Sequence, residues 1–260
     1  MTVLDQIVER TRERLRAAPM DIEDVRRAAR ERAASRTPFA FRNALTATSP
    51  AIIAEIKSAS PSAGSIVDDP DVEAIAADYA RGGAAAISVV TEPEFFRGSR
   101  DWIARAKAAS GLPAIMKDFV VEPSQLMAGI AAGADAILLL ASLLDARQIL
   151  HFIALLDAYG CDALVEVHDE EELERAVEAG ARLIGVKNRD LRDFHVDLAT
   201  SERLSMRMPQ DVLRVTESGI RTHADVARLR AAGFHGFLVG ESLLRQQDRA
   251  AAVRELAGAS

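Results

Sequence analysis

Eight short apolar segments, each followed by a stretch with helical patterning, repeat along nearly the whole chain. Each segment ends in polar or glycine residues, near positions 57, 91, 117, 140, 166, 188, 217 and 240. Successive ends are 22 to 34 residues apart, the length of one strand plus one helix. Eight such units fill the roughly 250 residues of a closed (β/α)8 TIM barrel. The pattern therefore predicts an α/β fold in which all eight carboxyl strand ends meet at one mouth.

The predicted strands are rich in Ile, Val, Leu and Ala, as expected for strands buried on both faces. They cover 51–56, 84–90, 113–117, the end of 131–140, 163–167, 182–187, 213–217 and 236–240. No linker or low-complexity segment divides the 260 residues, so we predict a single barrel domain over 1–260.

Residues 1–45 precede the first strand and are predicted to form a helical extension over the barrel. Leu4, Ile7, Val8, Thr11 and Leu15 recur at helical spacing among charged residues. A second charged helix is predicted from about residue 21 to 35. The pattern alone leaves three roles open for the extension: plugging the base, covering the mouth or binding a partner.

Composition limits the classes of partner. The net charge is −7 and the isoelectric point about 5.4, so we expect no nucleic-acid partner, because such proteins normally carry a basic surface. No apolar run reaches the roughly 20 residues that span a bilayer, and the charged N-terminus lacks a signal-peptide core, so we expect no membrane association. The one cysteine, Cys161, leaves no internal disulfide. These features together predict a cytoplasmic protein.

Four predicted strands end in charged side chains. Glu55 and Lys57 face the same way on the first strand, and Lys117, Glu166 and Glu217 end the third, fifth and seventh. A structural salt bridge is the simpler explanation of one Glu-x-Lys pair. Charges of both signs at four strand ends favour acid–base chemistry, because packing alone would place aliphatic residues there. A second ammonium nearby is expected to lower the pKa of Lys117.

Two glycine turns follow the seventh and eighth strands, at Ser218-Gly219 and Gly240-Glu241. Either alone is explained by an ordinary tight turn, but the pair favours a phosphate site, which recurs in these loops of the fold. Phe96 and Phe119 lie near the mouth and could bind a flat apolar ring or simply pack the loops. No two histidines have metal-ligand spacing on one face, so we predict no metal site.

Taken together, these segments resemble the indole-3-glycerol phosphate synthase family. The matching stretches include IIAEIKSASPSAG (52–64), MKDFVVEPSQ (116–125), IGVKNRDL (184–191), ESGI (217–220) and LVGESLLR (238–245). The resemblance implies ring closure, decarboxylation and dehydration of 1-(o-carboxyphenylamino)-1-deoxyribulose 5-phosphate, an anthranilate-derived sugar phosphate. No cofactor is implied, because the aniline ring supplies the electrons for carbonyl attack.

The resemblance also implies residue roles. Lys117 would be the general acid of ring closure and Glu166 the general base. Lys57 would act as an acid in dehydration and contact the substrate carboxylate, while Glu55 and Glu217 would orient the lysines and the substrate hydroxyls. The implied phosphate region comprises Ser60, Ser218, Gly219, Gly240 and Glu241, and the implied ring-binding wall comprises Phe96, Phe119, Leu138 and Leu191.

This chain departs from the family's usual motif at one position. The family usually has Asn-Asn-Arg or a similar triplet after the sixth strand, where this chain has Lys187, Asn188 and Arg189. All three are predicted to bind substrate, with Lys187 pointing inward. We expect activity to survive with an altered pH profile; the alternative is that Lys187 fills the substrate's hydroxyl site and the chain is a weak or inactive relative.

Other functions stay open from the sequence. One alternative is another sugar-phosphate barrel enzyme, such as an isomerase or epimerase, and another is a binding protein that keeps the phosphate site without catalysis. A monomer is expected, with a weak homodimer as the alternative.

Overall fold

Eight parallel strands form a closed barrel in this computed structural model, which describes residues 2–190 and 195–259. The strands are β1 (Ala51–Ile56), β2 (Ala86–Val90), β3 (Ala114–Lys117), β4 (Ala136–Leu140), β5 (Asp162–Val167), β6 (Leu183–Lys187), β7 (Leu213–Glu217) and β8 (Gly236–Val239). Each strand pairs with its neighbours in sequence, and β1 pairs with β8 to close the cylinder. The predicted (β/α)8 fold is confirmed.

Helices alternate with the strands. Their bounds are α1 (Val3–Ala17), α2 (Ile22–Ala34), α3 (Ala40–Ala47), α4 (Val72–Arg81), α5 (Asp101–Ser110), α6 (Pro123–Ala131), α7 (Ala146–Ala158), α8 (Glu170–Glu178), α9 (Ala199–Ser205), α10 (His223–Ala231), α11 (Glu241–Leu244) and α12 (Arg249–Ala257). Aspartates begin many of them: the Asp71, Asp145 and Asp169 side chains each accept a backbone N–H of the first turn. Within the described residues, no helix is both long and apolar enough to cross a membrane.

Strand alternation divides the apolar residues between two cores. Residues facing into the barrel include Ile53, Ile115, Leu164, Val215 and Leu238. Their outward-facing neighbours pack against the surrounding helices and include Ile52, Ile56, Met116, Val165 and Phe237. The inward rows therefore fix which strand-end side chains reach the mouth.

The N-terminal extension serves both ends of the barrel. On α3, the fully buried Phe41 and Leu45 join the interior core beneath the strand starts. The Arg36 guanidinium secures this end by donating to the carbonyls of Ala134 and Tyr159, both at 2.6 Å. At the other end, Ile7 of α1 lines the mouth cavity. The extension therefore contacts both ends of the barrel, the base through α3 and the mouth through α1. The sequence pattern did not predict α3 as a separate helix.

Replacing Phe41 with Ala should lower the free energy of unfolding by about 3–5 kcal/mol, because it empties part of the core under the strands. Thr46→Ala, at an exposed position on the same helix, should stay within about 0.5 kcal/mol of the parent protein. Urea unfolding followed by circular dichroism measures both. Equal stabilities for the two variants would contradict a base sealed by α3.

Candidate active site

A cavity of about 400 Å³ opens at the carboxyl ends of the strands. It brings together nearly all of the residues that the sequence singled out, from eight separate segments. The predicted residues that line it are Glu55, Lys57, Ser60, Phe96, Lys117, Phe119, Leu138, Glu166, Lys187, Arg189, Glu217, Ser218, Gly219, Gly240 and Glu241.

Four charged side chains form a hydrogen-bonded square at the floor of this cavity. Lys117 Nζ donates to Glu217 Oε2 at 2.7 Å and to Glu166 Oε2 at 3.2 Å. Lys187 Nζ donates to the same two atoms, at 3.0 Å and 3.2 Å respectively. The two glutamates are almost fully buried and the two lysine side chains are only 14% and 15% exposed, so each charge is balanced mainly by contact with its opposites rather than by bulk water.

Glu55 and Lys57 form a second pair beside the square. Lys57 Nζ donates to Glu55 Oε1 at 2.6 Å. Gly240 packs directly against them: a methyl group there would overlap Glu55 Oε1 and lie 3.1 Å from Lys57 Nζ. Glycine at the end of β8 therefore leaves the space that this ion pair occupies.

The expectation that Lys117 has a lowered pKa is wrong. Burial alone would lower the pKa of this ammonium, but the carboxylates of Glu217, Glu166 and Glu55 outweigh it and raise the pKa. From the sequence, neighbouring ammonium groups are expected near Lys117, but the sequence does not show that carboxylates lie closer to its Nζ atom. Lys117 is therefore a fully protonated hydrogen-bond donor in the free protein.

Glu166 and Glu217 differ in their affinity for protons although both contact the same two lysines. Burial favours the neutral form of each, but Lys187, Lys117 and His168 hold the pKa of Glu166 well below its usual value. Burial and the adjacent Glu166 carboxylate raise the pKa of Glu217. The geometry explains the difference: within the described residues Glu217 Oε1 has no hydrogen-bond donor, whereas Glu166 Oε1 faces His168 Nε2 at 3.6 Å.

His168 stands between two carboxylates behind the cavity. Its Nδ1 lies 3.0 Å from Glu172 Oε2, and Glu172 also accepts the His168 backbone N–H at 2.8 Å. Burial would lower the pKa of His168, but the Glu172 hydrogen bond and the Glu166 and Glu172 charges raise it. His168 does not line the cavity; it acts on the cavity only through Glu166.

The glycine turn after β7 is in a left-handed conformation at two successive residues, with φ of 69° at Ser218 and 84° at Gly219. A side chain at Gly219 would come within 2.5 Å of Val196 Cγ1. Asn188 supports this turn, since its Nδ2 donates to the Ser218 carbonyl at 3.1 Å and to Thr216 Oγ1 at 2.9 Å. Asn188 is buried and lies outside the cavity lining, next to the turn that lines it.

An apolar wall faces the charged square. The rings of Phe96 and Phe119 lie 5.9 Å apart between centroids, tilted by 39°, and Leu138 continues the wall from β4. The buried carboxylate of Glu92 orders the Phe96 loop by accepting the backbone N–H groups of Phe95 and Phe96, at 2.7 Å and 3.0 Å. Leu191, the fourth predicted member of this wall, lies outside the described residues.

Some lining residues were not predicted. Arg221 and Arg245 lie beside the two glycine turns, and Val3, Leu4 and Ile7 of α1 roof the cavity. Arg245 could have been noticed from its position four residues after Glu241, with which it forms a 3.0 Å ion pair across α11.

In the described part of the chain, no group of three or more His, Cys, Asp or Glu side chains is arranged to hold a metal ion.

Comparison with known proteins decides between the barrel families. The family model for indole-3-glycerol phosphate synthase matches residues 4–256. The chain belongs to this family. The resemblance noted in the sequence is confirmed, and with it the function of a carboxy-lyase of tryptophan biosynthesis.

Individual relatives agree along the chain. The indole-3-glycerol phosphate synthase 2 of Ralstonia nicotianae is 50% identical over 209 residues, covering 80% of this chain and 78% of that protein. The indole-3-glycerol phosphate synthase of Carboxydothermus hydrogenoformans is 41% identical over 260 residues, covering 97% and 98%.

Solved structures show the same fold at low identity. The 3-hexulose-6-phosphate synthase of Salmonella typhimurium has a TM-score of 0.63 and 16% identity, covering 80% of this chain and 97% of that one. Tryptophan synthase subunit alpha of Legionella pneumophila has a TM-score of 0.60 and 13% identity, covering 86% and 98%. These likenesses establish the barrel of this synthase family member and nothing about its substrate.

The raised pKa of His168 predicts a pH-dependent contribution to stability. Because the folded-state pKa lies above the unfolded value of about 6.5, charged His168 stabilises the fold fully below that pH. The contribution disappears as the pH rises through the folded-state pKa. The loss of unfolding free energy caused by His168→Gln should therefore be larger at pH 6 than at pH 9.

Urea titrations at the two pH values test this, with Glu172→Gln as the matched background. In that background the pH-dependent part of the His168→Gln effect should shrink, because the main partner of the imidazolium is gone. A His168→Gln cost that grows toward pH 9 would contradict the assignment.

Proposed function

We propose that this chain converts 1-(o-carboxyphenylamino)-1-deoxyribulose 5-phosphate into indole-3-glycerol phosphate, with release of carbon dioxide and water. The observation that carries the proposal is the hydrogen bonding of Lys117 to both Glu166 and Glu217 in a cavity that also holds the two glycine turns. Family membership supplies the reaction. The residue roles are those that the resemblance implies, and the positions of the side chains support them.

Ring closure needs an acid at the carbonyl oxygen. The substrate's ring carbon C1 forms a bond to the carbonyl carbon C2′, and the carbonyl oxygen takes the electron pair and a proton. Lys117 is the donor, because its ammonium is protonated and held at the mouth by Glu217 at 2.7 Å. Loss of carbon dioxide from C1 then returns an electron pair to the ring and restores its aromaticity.

Dehydration needs an acid and a base on the same five-membered ring. The C2′ hydroxyl leaves with a proton from Lys57, and Glu166 removes a proton from C1′ to complete the double bond. Glu166 suits the role because Lys187, Lys117 and His168 keep it ionised. Glu55 holds Lys57 in place at 2.6 Å and Glu217 orients Lys117, so these two carboxylates act as positioning groups.

The rest of the cavity would bind the two ends of the substrate. Left-handed backbone at Ser218 and Gly219, with Gly240 and the Glu241 backbone opposite, offers N–H groups to the phosphate dianion, and Ser60 adds a hydroxyl. The anthranilate ring would lie against Phe96, Phe119 and Leu138, with Leu191 as the further expected contact. Arg189 lines the cavity and would contact the substrate, whereas Asn188 would act through the Ser218 turn.

We further propose a single domain that works as a monomer in the cytoplasm. The extension helices pack onto both ends of the barrel, which supports one folding unit, and the fully buried Cys161 thiol suits a reducing compartment. Light scattering measures the oligomeric state, and cell fractionation the location.

Mixing the protein with the anilino-ribulose phosphate should produce indole fluorescence. Lys117→Met should lower kcat/KM by about 10²–10⁴-fold, because the acid of ring closure is removed. Lys107→Met is the matched control: Lys107 is also a half-buried ammonium paired with a carboxylate, Asp135 at 2.5 Å, but it lies at the other end of the barrel. That control should keep the parent activity.

Two outcomes would overturn the proposal. Tight binding of the substrate without turnover by the unmodified chain would make it a binding protein. Parent-like activity of Lys117→Met would leave ring closure but remove Lys117 from the role of acid.

A further inference from the structure

We propose that Lys187 is a positioning residue of this reaction, which bridges Glu166 and Glu217 and completes a balanced set of three carboxylates and three ammonium groups at the floor of the cavity. The inference rests on the proposed function, since it concerns the same acid and base. It goes beyond the role that the resemblance implies for Lys187, which is substrate binding alone.

The geometry makes Lys187 a second copy of Lys117. Both ammonium groups donate to Glu166 Oε2 and Glu217 Oε2, at distances between 2.7 and 3.2 Å. Lys187 is also the register partner of Glu217 in the β6–β7 ladder, so the backbone holds the two side by side.

Lys187 decides the charge balance of the site. Glu55 and Lys57 neutralise each other, with Lys57 Nζ 2.6 Å from Glu55 Oε1. Without the charge of Lys187, Glu166 and Glu217 would share Lys117 alone, and two adjacent carboxylates facing one cation favour uptake of a proton. Glu217 would receive it, because one of its oxygens has no donor among the described residues.

Other charged groups face the pair from the surrounding elements and stay in place in a Lys187 variant. They are Glu55 and Lys57 at the end of β1, Lys117 at the end of β3, His168 after β5 with Glu172 behind it, and the cavity-lining Arg189, Arg221, Arg245, Asp118 and Glu241. Of the two carboxylates of the pair, His168 contacts only Glu166, so it cannot replace the cation on Glu217. A protonated Glu217 no longer attracts Lys117 as a carboxylate does, and the acid of ring closure loses its alignment.

The experiment is the pH dependence of kcat/KM for the full chain and three variants, K187M, K187N and K187R, with the anilino-ribulose phosphate as substrate. In K187M and K187N, the acidic limb of the plot of kcat/KM against pH should move upward by about one pH unit. This is the usual size of the change in pKa caused by one neighbouring charge. Above that limb, kcat should fall less than tenfold. K187R should keep the parent limb, because a guanidinium can bridge two carboxylates.

The control K107M removes an ammonium of similar burial at the barrel base and should leave the limb where it is. An acidic limb unchanged in both K187M and K187N, with the parent protein active, would overturn the role of Lys187 and leave the proposed function standing. A limb shifted equally in K187R would also overturn it, since the charge would then not be what matters. An inactive parent protein would instead refute the proposed function. K187N, with the smaller side chain, decides the question if K187M fails to fold.

Discussion

Six buried charges at one end of a barrel are tolerable only if every ammonium touches a carboxylate. Removing an ion from water costs several kcal/mol even after relaxation, and only close opposite charges recover that cost. Here Lys117 and Lys187 each contact both Glu166 and Glu217, while Lys57 is paired with Glu55. The same pairing that makes burial tolerable also sets the proton affinities on which the chemistry depends, so stability and catalysis draw on one set of contacts.

Side chains alternate between the two faces of each strand, so every second residue points into the barrel and the inward residues of all strands form layers. Aliphatic residues such as Ile53 and Leu164 fill the lower layers, and the next inward residues, Glu55 and Glu166, form the reactive layer above them. Because the strand ends are held by ladders on both sides, the charged groups need no flexible loop to bring them together. The loops supply the aromatic wall around Phe96 and the turn at Gly219.

The fold and most of the site could be read from the sequence because both follow from local periodicity. Alternation on β6 correctly placed Lys187 inside, and the strand ends correctly gathered Lys117 with Glu166. The prediction that failed depended on distances between segments that are remote in sequence. The direction of the Lys117 pKa shift needed the relative distances of carboxylates and ammonium groups from Lys117.

The plug beneath the barrel has a consequence for biosynthesis of the chain. Phe41 and Leu45 leave the ribosome before any strand, yet the base they seal includes Gly236 at the start of β8, where a side chain would lie 3.6 Å from Leu45 Cδ1. The α3 segment must therefore wait for the last barrel strand before its apolar side chains are covered. At this end of the barrel, the order of synthesis and the order of assembly therefore run in opposite directions.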